Sequence, residues 1–197
     1  MVHACQIPEE ILLSLSTEDL TDVCLHYPLL YDVFAFDNLN NGLDKLFEDF
    51  NGIRDLYKRE DFALSLAKRY TQKVQNFSFL NSQVSEIEKG YFIISVSALE
   101  VLLSRIKGQD NAEKASYREI LRYLVAGYEE KCRHADYFKG FGFQTNFYSR
   151  GHIISEMDKS IANQLLPQEN KNSTLFSGMT DEQSILVIDK LSYQLIK

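Results

Sequence analysis

Only three prolines, three cysteines and nine glycines occur among the 197 residues. So little proline and glycine excludes collagen-like and mucin-like chains, and three cysteines are too few for a disulfide-dense scaffold. Cys5, Cys24 and Cys132 are odd in number, far apart and without a CxxC pair. They read as unpaired thiols that behave as small hydrophobes. No run of about 18 apolar residues is present, so no helix long and apolar enough to span a membrane is expected. Positive charge is also scarce: 21 Lys and Arg face 28 Asp and Glu, a formal charge of −7. That balance argues against nucleic acid or anionic lipid as a partner. The basic residues Arg54, Lys58 and Arg59 are themselves offset by Asp55, Glu60 and Asp61, which leaves no electrostatic footprint for phosphates. Nucleophile elbows, phosphate-binding loops, dinucleotide fingerprints and HExxH pairs are all missing. No catalytic residue and no cofactor is therefore expected.

What is present is core material. Hydrophobic residues make up 45% of the chain, with 11 Tyr and 13 Phe, enough to exclude disorder and to fill one core. Residues 1–197 are expected to form a single helical domain, with a polar loop at 170–180 before a last helix. The three prolines stand at 8, 28 and 167, so the 138 residues from Leu29 to Leu166 contain none. Such a stretch favours helix, from whose interior proline is expelled. Pro8 with Glu9 and Glu10 opens a first helix, and Ser16-Thr17-Glu18-Asp19 caps a second that ends before Pro28. Leu43, Leu46, Phe47 and Phe50 form an amphipathic stripe between two apparent punctuation points, Asn40-Asn41-Gly42 and Asn51-Gly52. Further helices are expected over Glu60–Thr71, from Asn111 through Tyr128, from about Asn146 or Ser149 to Leu166, and from Thr180-Asp181-Glu182 to Leu195. The expected class is all-α, an antiparallel bundle or αα-superhelix of about eight to ten helices.

Residues 86–106 carry two apolar stripes. Ile87, Tyr91, Ile94, Ala98 and Val101 form one; Phe92, Val96, Leu99, Leu103 and Ile106 form the other. At about 100° per residue the stripes lie on opposite faces, so both sides of this helix are expected to be buried. Ser97 and Ser104 lie between them, where a neighbouring helix could approach closely. Tyr91 to Val96 also has strand-like composition, but the double period is too long for an ordinary strand.

The N-terminal half has a recognisable order of short motifs. Ile7-Pro8-Glu9-Glu10 is followed by Ser16-Thr17-Glu18-Asp19-Leu20, then Cys24-Leu25 leading to Tyr27-Pro28-Leu29. Phe50-Asn51-Gly52, Asp55-Leu56 and Lys58-Arg59-Glu60-Asp61 complete it. Over roughly residues 7–70 this order resembles an uncharacterised family of exported helical proteins from gut bacteria. The resemblance implies a helical fold and a bacterial export signal, but no activity, substrate or site residue. Val2-His3-Ala4 matches the small-residue pattern read by signal peptidase. A periplasmic or extracellular protein whose leader is absent from this chain is thus expected, with a cytoplasmic protein as the alternative.

Two constellations could carry function. Glu130 with His134, and His152 with Glu156, are i, i+4 pairs that each put an imidazole and a carboxylate on one helix face. Facing helices could close them into a four-ligand metal site, with Asp136 and Asp158 close by. Solvated helix surfaces produce such pairs as well. The second is Tyr137 to Tyr148, with six aromatics and two glycines in twelve residues, expected as a connection between helices. Its rings either fold into the core or leave Phe141 and Phe143 exposed as a patch for a partner. Asn76-Phe77-Ser78 and Asn172-Ser173-Thr174 match the glycosylation sequon by chance. The functional expectation is a non-enzymatic interaction or structural module whose partner is another protein or a cell-surface component. The alternative is a small metal-dependent or ligand-binding enzyme built on 130–158.

Overall fold

The computed structural model describes residues 1–106, 111–138, 141–161 and 182–197; for 111–115, 141, 161 and 183 it describes the backbone alone. Helices begin where the chain offers a cap. Ser16 accepts a hydrogen bond from the Asp19 amide at 3.1 Å and opens α2, Thr17–Leu25, after the short α1, Glu9–Ser14. Pro28 leads into a 3-10 turn over Leu30–Ala35 rather than a full helix. Asn38 accepts from the Asn41 amide at 2.9 Å and opens α3, Leu39–Asp49. The Asn40-Asn41-Gly42 triplet expected as a break is therefore inside a helix. Gly42 serves close approach instead: a Cβ there would stand 2.9 Å from the Val33 carbonyl carbon. Then come α4, Asn51–Leu56, and α5, Phe62–Gln75. Ser85 and Glu88 form a reciprocal capping box at the head of α6, Glu86–Leu103, which satisfies two otherwise unpaired amides. The remaining helices are α7, Asn111–Arg133, α8, Phe141–Met157, and α9, Glu182–Leu195. No strand occurs among the described residues, and the fold is all-α as the sequence suggests. The expected polar loop at 170–180, the Asn172 sequon and the Thr180-Asp181 cap lie outside the described residues.

The centre is α6, which packs on α5 along one side and on α8 along the other, while α7 closes against both α5 and α8. The last helix, α9, lies across α8 and α7. At the other end α2 packs on α4 and α5, and α3 on the 3-10 turn and α4. One cluster of buried apolar side chains runs through all of this, from Leu12 to Ile188. The N-terminal segment is fastened by its backbone. Asn51 accepts from the Ile7 amide at 3.0 Å and returns a hydrogen bond to the Ile7 carbonyl at 2.7 Å. Arg59 donates to the carbonyls of Leu15 and Leu12 at 2.7 and 2.8 Å. Ser16, Asn51 and Arg59 thus act as caps and clasps of the N-terminal half.

Two expectations need correction. The segment from Phe141 onward is helical despite its glycines and rings. Helical spacing turns Phe143 and Phe147 onto the same ring, Tyr128, with centroids 5.9 and 5.1 Å away. Burial of those rings outweighs the roughly 1 kcal/mol that a glycine costs a helix. The two-faced burial of α6 holds only in part. Phe92, Val96, Leu99, Leu103 and Ile106 are buried throughout, and so are Ala98 and Val101. Ser97 and Ser104 are buried between them as well. The first turns differ: Ile87 is 71% exposed and Tyr91 61%. No helix among those described covers this end of the first stripe.

Candidate functional site

The four residues considered for a metal take other partners. Glu130 accepts from Arg133, and Glu156 pairs with Lys159. His134 stands edge-on to Phe77 at 5.9 Å between centroids, and His152 packs against Tyr148 at 4.4 Å. No group of three or more His, Cys, Asp or Glu side chains converges among the described residues. Of the proposed aromatic patch, Phe143 is half-buried against Tyr128 and the side chain of Phe141 lies outside the described residues. Phe138, Phe147 and Tyr148 are core.

What α5, α6, α7 and α8 do bring together is a buried charge network centred on Glu100. One carboxylate oxygen accepts from the Tyr70 hydroxyl at 2.7 Å and the Asn146 amide at 3.0 Å. The other accepts from Lys131 at 2.7 Å and Thr145 at 2.5 Å. Lys131 also donates to the Gly142 carbonyl at 2.5 Å. Glu100, Lys131 and Tyr70 are all fully buried. Burial pulls the Lys131 ammonium below its usual value, and Glu100 opposes that shift. Burial, and then the charge of Glu100, push the Tyr70 phenol well up. With four donors on the carboxylate and no exposed atom, this network suits the joining of four helices rather than proton transfer to a substrate. Sequence reasoning missed it, although one signal was available: Glu100 is the only charged residue between Gly90 and Ser104. Nothing distinguishes Lys131 within its charged neighbourhood.

A second buried cation borders the same group. The Arg150 guanidinium sits 4.7 Å from the ring centroids of both Tyr128 and Phe147 and donates to Asp189 of α9 at 2.9 Å. Its Nε and second terminal nitrogen have no hydrogen-bond partner among the described residues.

The outer sides of α5 and α6 build an open groove. It holds about 390 Å³ and is walled by Leu25, Leu30, Tyr31, Phe79, Phe92 and Leu99. Asp22, His26, Arg69, Gln72, Lys73, Asn76 and Ser95 supply its polar atoms. Most of these are already engaged. Arg69 grips both oxygens of Asp22 at 2.6 Å and reaches Gln72 at 2.9 Å. His26 Nδ1 donates to the Asp22 carbonyl at 2.7 Å. Ser95 donates to the Phe92 carbonyl at 2.7 Å. Lys73 differs: its ammonium lies 5.4 Å from the Phe92 ring centroid and meets no carboxylate among the described residues. Desolvation by the groove walls lowers its pKa. Tyr31 stands at the groove edge, 6.5 Å between centroids from the exposed Tyr91. Chemically the groove offers aromatic walls and, in Lys73, a cation that no carboxylate among the described residues pairs.

No helix among the described residues is long and apolar enough to cross a membrane. No family model matches the chain, and neither does any curated protein or solved structure.

Proposed function

We propose that this chain is a non-enzymatic, bacterial helical interaction module that docks another protein through the face formed by the first turns of α6 and the adjoining groove. One observation carries the reading. Ile87 and Tyr91, 71% and 61% exposed, continue an apolar stripe that is half-buried at Ile94 and buried at Ala98 and Val101, and Tyr91 meets Tyr31 at the edge of the aromatic groove. Large apolar side chains in a contiguous patch are the usual mark of a partner surface, and tyrosine is favoured there because it contributes area at low entropic cost. The docking face thus differs from the Phe141 and Phe143 patch suggested by the sequence, because Phe143 packs on Tyr128. In this reading the partner is another protein at or beyond the cell surface. The export part of it rests on the resemblance over roughly residues 7–70.

The test uses a photo-crosslinking residue at position 91, with exposed position 118 of α7 as control, in cells that express the chain. Capture of one defined protein from position 91 alone is expected. That protein, once purified, should bind the chain. Changing Ile87 and Tyr91 together to Ser should weaken binding by about tenfold or more. Stability should stay within about 0.5 kcal/mol, because both side chains are exposed. Equal capture from both positions, or undiminished affinity of the double variant, would overturn the proposal.

A further inference from the structure

The groove also indicates what kind of segment it takes. We infer that Lys73 reads an acidic residue of a partner peptide, whose neighbouring aromatic or large apolar side chain lies between Tyr31, Phe79 and Phe92. The inference rests on the docking reading above and sharpens it.

The argument is one of charge and space. Within the groove Asp22 and Arg69 neutralise each other through a two-point fork, so the uncompensated formal charge is that of Lys73. This cation is held on a chain whose net charge is −7, so an acidic segment is repelled by most of the surface and attracted at this point. Lys73 lies over the Phe92 ring. A ring face stabilises an ammonium only weakly compared with a carboxylate. A half-buried ammonium that meets no counter-ion among the described residues is therefore a site that gains from an arriving anion more than a solvated lysine would. The cavity of about 390 Å³ falls within the range of pockets that hold a drug-sized group, room enough for one aromatic side chain beside the carboxylate. Gln72 and Asn76 at the rim supply groups that can hydrogen-bond an extended backbone.

The experiment titrates the whole chain with the capped peptides Ac-Ala-Glu-Phe-Ala-NH2 and Ac-Ala-Gln-Phe-Ala-NH2. Binding is followed by amide chemical shifts and by the side-chain NMR signal of Lys73. The Glu peptide should bind about fivefold more tightly than the Gln peptide, the ratio a partly exposed ion pair supplies. Its binding should raise the Lys73 pKa, while the Gln peptide should leave it unchanged. Lys73→Met keeps the aliphatic stem on Phe92 and should abolish the preference without weakening the Gln peptide. Lys73→Arg should keep the preference. Equal affinity of the two peptides for the native chain would overturn the inference and leave the docking reading intact. A preference that survives Lys73→Met would also overturn it. Binding of neither peptide would overturn it too, and the crosslinking experiment would then decide the docking reading separately.

Discussion

Replacing Lys131 with Met tests the buried network most directly. The substitution keeps an unbranched apolar stem of similar length and removes only the ammonium. Glu100 then keeps its hydrogen bonds from Tyr70, Asn146 and Thr145 but loses its counter-charge at 2.7 Å. Removing one partner of a fully buried pair costs about 3–5 kcal/mol, because the other charge stays desolvated. For a chain of this size each kcal/mol moves the melting temperature by about 2–4 °C, so a fall on the order of 10 °C is expected. Urea unfolding at pH 8 measures the loss. Adding Glu100→Gln should restore part of the loss, since the uncompensated charge disappears. The reasoning fails if Lys131→Met costs under about 1 kcal/mol at pH 8, or if the double variant loses as much as the two singles added together.

Two further outcomes follow from the same contacts. Gly127→Ala should destabilise by about 1–3 kcal/mol, although alanine is the better helix former, because its Cβ would stand 2.5 Å from the Tyr70 ring and displace that ring from Glu100; a thermal melt equal to the parent's would contradict this. In alkali, burial and a hydrogen bond to Glu129 push the Tyr193 phenol up to about 12, and burial pushes the Tyr57 phenol well up. Raised phenols contribute stability that is complete below about pH 10 and lost as pH rises through the folded values. The urea midpoint should therefore fall above that pH, and phenolate absorbance of the native protein should lag behind that of the unfolded chain. Coincident titrations would show that the phenols are not buried.

The local features were legible because they depend on neighbours in sequence. Ser16 announces a helix start since its hydroxyl needs only the amide three residues on, and α2 begins there. The second stripe of α6 is apolar at helical spacing, and every member is buried. The glycines misled because glycine serves two ends. Gly42 has the sequence context of a break, yet it admits the Val33 backbone against α3, and only the partner reveals which use applies. Glu130, His134, His152 and Glu156 have suitable spacing within each helix, but ligand convergence depends on how helices are rotated against one another. Rotation is set by side-chain packing between elements distant in the chain. The same holds for the groove: Lys73 is an ordinary helix lysine in sequence, and α2, α5 and α6 have to meet before it lies over Phe92. The sequence by itself determined the all-α class, the caps and the apolar faces, because periodicity and hydrogen bonding act within a few residues. Tertiary packing alone decided that Glu100 meets Lys131 and that Ile87 and Tyr91 stay exposed, because burial depends on which helices arrive and none of those described covers these two side chains.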